Sequence, residues 1–290
     1  MPRGKTQEVL SLINACVRIL EEIQPASVRA VCYQLFVRSL LESMSKNCTN
    51  RISRHLVYAR EQGIIPWEWI VDETREAERV NAWRNPAAFV RTVKRAYRRD
   101  HWAYQPVLVE VISEKSTVKG TLAPVLEEYG VTFRPWHGYV SATKAHELAG
   151  EIQASSKPMI LLYLGDWDPS GLDMGDRYAP ERIVEYGSGD GFSWRRIALT
   201  EALIREHDLP GFDVDTKQKD SRYRWYRNRH GARAWELDAL NPNVLRAVVE
   251  ETIRGYINWP AWEQSSLAEQ AETESLQHIL DRWTGQASLS

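Results

Sequence analysis

The stretch LLYLGDWDPSG, residues 161–171, decides how the rest of the chain is read. An apolar run bounded by turn residues ends on two aspartates one residue apart, Asp166 and Asp168, with a Pro-Ser-Gly turn directly behind. The run reads as a buried strand. Two carboxylates that close repel each other, and a divalent cation is the usual means of offsetting that cost.

Working outward, the same pattern recurs upstream. VLVEVIS (107–113) reads as a buried strand, followed by a helix over 117–129 and the strand VTFRPW (131–136). A helix over 142–154 then leads to PMILLYLG (158–165). The order β-α-β-α-β is that of a parallel sheet covered on both faces. Beyond it the sequence predicts a strand at 194–199, a helix at 242–257 and a polar tail, 263–290, ending in an amphipathic helix. Ligands of such sheets gather beyond the carboxyl ends of the strands. Glu114 follows the first strand directly, as Asp166 and Asp168 follow the third. Three hard oxygen ligands suit Mg²⁺ or Mn²⁺. A lone pair of loop aspartates more often caps a helix; the added strand-end glutamate is what raises this set above that level.

The amino-terminal third follows a different pattern. Val9, Ile13, Val17 and Leu20 sit at helical spacing within 6–23, and Pro25 breaks that helix. Ser27 is placed to cap a second helix, VRAVCYQLFVRSLL, and a third spans 46–62. GIIPWEWIVD (63–72) alternates and contains Pro66, as a short edge strand or wing does. Three helices and such an element predict a winged helix-turn-helix. On the third helix, Arg51, Arg54, His55 and Tyr58 share one face while Ile52, Leu56 and Ala59 share another. This is the layout of a DNA-reading helix, although judged alone the pattern favours an ordinary solvated face. A second basic helix, predicted over 89–105, carries Arg91, Lys94, Arg95, Arg98 and Arg99 and suits a phosphate backbone.

Charge follows the same division. Residues 1–105 hold 17 Lys and Arg against 11 Asp and Glu, and residues 106–290 hold 20 against 28. A basic first third beside an acidic remainder suits a polyanionic partner. The domains expected are 1–104, a winged-helix DNA-binding domain, and 105–290, a metal-binding α/β domain with a helical extension. No apolar run reaches membrane-spanning length and MPRGKTQEVL lacks a signal-peptide core, so no membrane association and no secretion are expected. A cytoplasmic, nucleoid-associated or nuclear location follows. Cys16, Cys32 and Cys48 form no CxxC pair, which argues against structural zinc and disulfides. No Gly-x-x-x-x-Gly-Lys loop is present.

With these residues in hand, the chain resembles a known family. Glu114 in VISEKSTV together with LGDWDPSG is similar to the Toprim domain, the metal-binding fold of topoisomerases, primases and some nucleases. The wider pattern resembles the A subunit of topoisomerase VI and the meiotic double-strand-break transesterases. VRAVCY (28–33) is similar to that family's Arg-x-x-x-Tyr motif. HGYVSATKAHEL (137–148) resembles its Gly-Tyr-Pro segment, with Val140 where Pro is usual. RRIALTEAL and WELDAL resemble its later strand and its Glu-x-x-Ala-Leu segment. The resemblance implies an α/β fold with α+β elements, in which an N-terminal winged helix-turn-helix domain precedes a Rossmann-like Toprim domain. It implies a compact stand-alone A-subunit-like enzyme of the type IIB topoisomerase kind.

The same resemblance implies roles. Tyr33 attacks a phosphate of double-stranded DNA and becomes linked to the 5′ end. Arg29, four residues earlier on the same helical face, stabilises the phenolate or clamps the phosphate. Glu114, Asp166 and Asp168 hold Mg²⁺ (or Mn²⁺), and a homodimer pairs the tyrosine of one protomer with the acids of the other. Strand passage driven by ATP would require a separate ATPase B-type subunit. Two further readings stand beside this one: a metal-dependent Toprim nuclease that uses water with Tyr33 non-catalytic, and a non-catalytic DNA-binding scaffold.

Overall fold

In chain order the elements of the computed structural model are α1 (Gln7–Ile23), β1 (Ala26–Ser27), α2 (Val28–Val37), α3 (Lys46–Glu61), β2 (Ile70–Val71), α4 (Pro86–Ala96), β3 (Leu108–Ser113), α5 (Thr117–Tyr129), β4 (Thr132–Pro135), α6 (Ala142–Ala154) and β5 (Met159–Leu164). Then come α7 (Pro169–Asp173), α8 (Ala179–Glu185), β6 (Phe192–Ala198), α9 (Glu201–Glu206), β7 (Phe212–Asp213), α10 (Tyr223–His230), β8 (Arg233–Ala234), α11 (Pro242–Arg254) and α12 (Trp259–Gln286). The residues described are 7–71, 82–136 and 141–286, with side chains through 282. The segment His137–Val140 of the Gly-Tyr stretch therefore lies outside them. The class is mixed α/β with parallel strand pairs. Among the described residues no helix is long and apolar enough to cross a membrane.

The chain divides into two compact units, one from the described parts of 1–74 and 109–255, the other from those of 75–108 and 256–290. The border expected between 104 and 105 falls inside the second unit.

In the first unit a four-stranded sheet runs in the order β4-β3-β5-β6, with β3 parallel to β4 and β5 parallel to β6. All six residues of β5, MILLYL, are buried, as a central strand covered on both faces requires. α5 stops at Gly130, whose φ of 59° is left-handed and open to glycine without strain. The amino-terminal helices α1 to α3 close on their own core, in which Ile19, Leu20, Val31, Leu35, Ile52 and Leu56 are fully or nearly fully buried.

Ser27 caps α2 as its position predicts, its Oγ accepting from Ala30 N at 3.1 Å. The 63–72 stretch differs from a wing. It forms a turn of 3-10 helix at Trp67–Trp69 and then β2, which pairs in parallel with β1.

Two features seat these helices against the sheet. Arg246 of α11 donates to Pro25 O (3.2 Å), Ile23 O (2.9 Å) and Gln24 O (3.2 Å) at the α1–α2 turn, and to Thr121 O of α5 (3.0 Å). One guanidinium thus gathers carbonyls from two places, a use to which its five fixed donors are suited. Gly120 of α5 is the second. A Cβ there would stand 2.4 Å from Val71 Cγ1.

In the second unit α4 begins on the Asn85 cap and packs along α12. The basic helix expected over 89–105 ends earlier, at Ala96. Asp100 is the reason: its carboxylate accepts from Trp102 N (3.0 Å) and Ala103 N (3.2 Å) and opens a separate 3-10 turn, His101–Tyr104. His101 meets Ser265 and Glu269, both at 2.9 Å, and Trp102 meets Trp262 edge to face.

Gly120→Ala sets two magnitudes against each other. Helix propensity favours alanine by about 1 kcal/mol, while overpacking costs about 1–3 kcal/mol. Val71 is β-branched and stiff, so the clash should win. Urea denaturation should report net destabilisation, and Gly120→Ala with Val71→Ala should recover most of it.

Candidate functional site

Strands β3 and β5 are neighbours, so their carboxyl ends lie together. Asp166 N donates to Glu114 Oε1 at 3.3 Å. Around these ends opens a groove of about 590 Å³, lined among others by Ser27, Arg29, Glu114, Lys115, Asp166 and Asp238.

Lys115 joins two of its acids. Its Nζ lies 2.8 Å from Asp166 Oδ1 and 2.8 Å from Asp238 Oδ2. Burial works against the ammonium, but Asp238, Asp166 and Glu236 outweigh it and hold the lysine protonated well above its ordinary range. Asp238 also accepts from Ser27 Oγ at 2.7 Å; burial opposes its charge, yet Lys115 and Ser27 keep its proton affinity below normal. Ser27 therefore does two things at once: it caps α2 and it reaches the acid turn.

The turn 236–238 ties the two parts of this unit. Glu236 binds Arg29 of α2 through both carboxylate oxygens. Leu237 N donates to Asp166 Oδ1 at 2.7 Å. Asp238 takes Lys115 and Ser27 as above. A bidentate guanidinium–carboxylate pair fixes orientation as well as distance, so the helix bearing Arg29 is set in register with the acids.

Glu114 and Asp166 are brought together; Asp168 faces elsewhere. Its Oδ1 caps α7, accepting from Gly171 N (2.7 Å) and Ser170 Oγ (2.9 Å), and its Oδ2 pairs with Lys217. Burial opposes its charge, but Lys217 and the cap bonds hold its proton affinity low. Among the described residues no three His, Cys, Asp or Glu side chains are gathered as a metal-holding group. Glu114 is the least compensated acid. Burial first, and then the Asp166 carboxylate, push it up to about 7; burial likewise raises Asp166. Two adjacent hard-oxygen donors whose proton affinity is raised chiefly by burial fit a divalent cation, with Lys115 already paired to one of them. Glu114 and Asp166 would hold it, with Asp168 in their electrostatic field.

Tyr33 lies under this region, not in it. Its side chain is 3% exposed, and it does not line the groove. The Arg29 guanidinium carbon stands 5.8 Å from its ring centroid. Burial, and then Glu236, raise the phenol well above its usual range, with Arg29 and Lys115 pulling the other way.

The expected DNA-binding residues are scattered. On α3, Arg51 and Arg54 are exposed while His55 and Tyr58 are half-buried; Tyr58 packs on the helical core. Arg51 and His55 border a groove that also holds Glu8 and Glu42. In the second unit Lys94 binds Gln277, and Arg95 and Arg98 are exposed, Arg98 donating to Tyr97 O at 2.9 Å.

Four residues that the sequence did not mark as site residues hold the arrangement. Glu236 and Asp238 sit in WELDAL, where an acid on each side of a leucine was the available signal. Lys217 offered none. Arg196 is 8% exposed and donates to Gly165 O (3.1 Å), Asp166 O (3.3 Å), Gly171 O (2.8 Å) and Asp176 Oδ1 (2.7 Å). It shapes the aspartate loop from behind. In comparison with known proteins, no protein-family model matches the chain and no curated protein matches it.

Arg196→Ala removes a donor from three loop carbonyls, of which Gly165 O keeps Leu199 N and Gly171 O keeps Met174 N, and should cost about 1–2 kcal/mol in chemical denaturation. Arg196→Lys should restore little, since one ammonium lacks the fork. A second expectation concerns pH. Between about 4.5 and 7 the unfolded chain releases a proton that folded Glu114 retains, so stability should fall as pH rises through that window. Glu114→Gln should remove most of that fall. An unchanged slope in the variant contradicts the assignment.

Proposed function

We propose that this chain is a DNA-cleaving enzyme of the topoisomerase VI A-like kind, with a winged-helix-like amino-terminal part carrying Tyr33 and a Toprim-like part carrying the acids. The observation that carries it is the 236–238 turn, which joins the Tyr33 helix to the strand-end acids through Arg29, Asp166 and Lys115. Such coupling has a purpose where a phenol and an acid site must act on one phosphate.

In this reading the Tyr33 oxygen attacks a backbone phosphorus and the bond to the 3′ oxygen breaks. The phenol loses its proton, the 3′ oxygen gains one, and the protein remains joined to the 5′ end. The ester conserves the bond energy, so the strand can be resealed. Arg29 orients the phosphate once that anion displaces Glu236, a role its planar fork suits. Lys115 supplies fixed positive charge in the groove lining. Mg²⁺ (or Mn²⁺) bound at Glu114 and Asp166 would neutralise charge on the phosphate. By analogy with the family, the active form is a homodimer cutting both strands of duplex DNA, and strand passage requires a separate ATPase subunit.

A second reading, hydrolysis by water at the same acids, is favoured by one observation: Tyr33 is buried and its proton firmly held. Supercoiled plasmid incubated with Mg²⁺, then treated with detergent and protease, separates the two. The expected result is cut DNA carrying a 5′-tyrosine link, abolished by Tyr33→Phe and lowered at least 100-fold by Glu114→Gln or Asp166→Asn. Cutting by Tyr33→Phe with no trapped protein establishes hydrolysis instead. No cutting by any form overturns both.

A further inference from the structure

The segment 217–233, KQKDSRYRWYRNRHGAR, carries seven Lys and Arg against one Asp, within a portion of the chain that is otherwise acidic. It contains α10 and lies in the first unit, beside the aspartate loop. Two contacts fix it there. Tyr226, fully buried, donates from its hydroxyl to Trp167 O (3.1 Å) or Arg233 O (2.8 Å), and Lys217 pairs with Asp168. The helix is thus pinned to the residues flanking the acids; Tyr223 and His230 pack inward beside Tyr226, leaving the cations of the segment toward the surface.

Those side chains sort into two groups. Arg222 and Arg227 are engaged, with Asp220 and with Asp215. Lys219, Arg224 and Arg229 are exposed, and among the described residues no acid pairs with them. Trp225, 45% exposed, stands between the two arginines and lies one helical turn before Arg229. Three uncompensated cations around an open indole, on a helix whose only fully buried residue is its anchor, serve no packing purpose. A row of phosphates pairs such exposed cations while releasing counterions. An acidic protein face is the weaker candidate, because a duplex backbone presents phosphates at regular spacing to exposed cations and is already the substrate of the proposed reaction.

We infer that α10 and the turn before it form a phosphate-backbone contact for duplex DNA, in which Lys219, Arg224 and Arg229 hold the strand against the acid groove and Trp225 covers the sugar edge. This deepens the proposed DNA reaction by naming a contact on the acid-bearing part of the fold, and takes its substrate class from that reading. The contact is sequence-independent, since no base edge need be read.

The experiment measures fluorescence anisotropy of a labelled 30-base-pair duplex with the full chain in chelator, so that binding is read without cutting. Each lost phosphate contact lowers the slope of log affinity against log salt by about 0.9. Arg224→Glu with Arg229→Glu should weaken binding at least tenfold and flatten that slope by about 2. Arg224→Lys with Arg229→Lys should stay within about threefold of the parent. An unchanged melting temperature shows that the charge-reversal protein is folded. Parent-like affinity and slope in that folded variant overturn the inference, as does a loss seen only when a labelled single strand replaces the duplex. Neither outcome touches the Tyr33→Phe result, so this contact and the cleavage reading fail separately.

Discussion

The ammonium of Lys115, held between Asp166 and Asp238, is the interaction on which the rest of the site depends. A groove that assembles Glu114, Asp166, Glu236 and Asp238 carries a large local negative charge in poorly solvated surroundings. Removing one partner from a buried pair of this kind leaves an uncompensated charge, at a cost of about 3–5 kcal/mol. Lys115 spends one positive charge on two acids that come from distant parts of the chain. It thereby closes β5 onto the turn before α11.

From that point the connections spread in both directions. Asp238 passes the constraint to Ser27 and so to the start of α2, while Glu236 takes hold of Arg29 one position further into the helix. Arg196 fixes the loop between β5 and α7 from the other side by its carbonyls. Backbone groups do much of the work: Leu237 N and Gly171 N each satisfy an aspartate. Rigid backbone donors cost little side-chain entropy to order, which suits a site in which acids must be held close together.

Tyr33 illustrates how a residue can be near a site without being in it. Its helix is aligned by Arg29, and the charges of Glu236, Lys115 and Asp238 all act on the phenol. Burial nevertheless dominates, and in the single chain the hydroxyl keeps its proton. For a phenol to act as nucleophile, the balance has to move toward the two cations.

The amino-acid sequence alone determined the sheet and its acids. A fully apolar β5 followed by Gly-Asp-x-Asp-Pro, and a helix over 117–129 between two β-rich runs, follow from local periodicity and turn chemistry. The Ser27 cap is local in the same way. What the tertiary structure decided is every relation between distant residues. Asp168 and Asp166 are indistinguishable as letters, yet Lys217 and the α7 cap turn one aside while Lys115 holds the other in the groove. The basic helix expected over 89–105 stopped at Ala96 because Asp100 prefers to cap a turn of its own. The 63–72 stretch paired with β1, 44 residues earlier at Ala26↔Ile70, because Gly120 leaves room for Val71 against α5. Ion pairs across such separations leave no periodic trace in a sequence, and only the folded chain says which acid meets which cation.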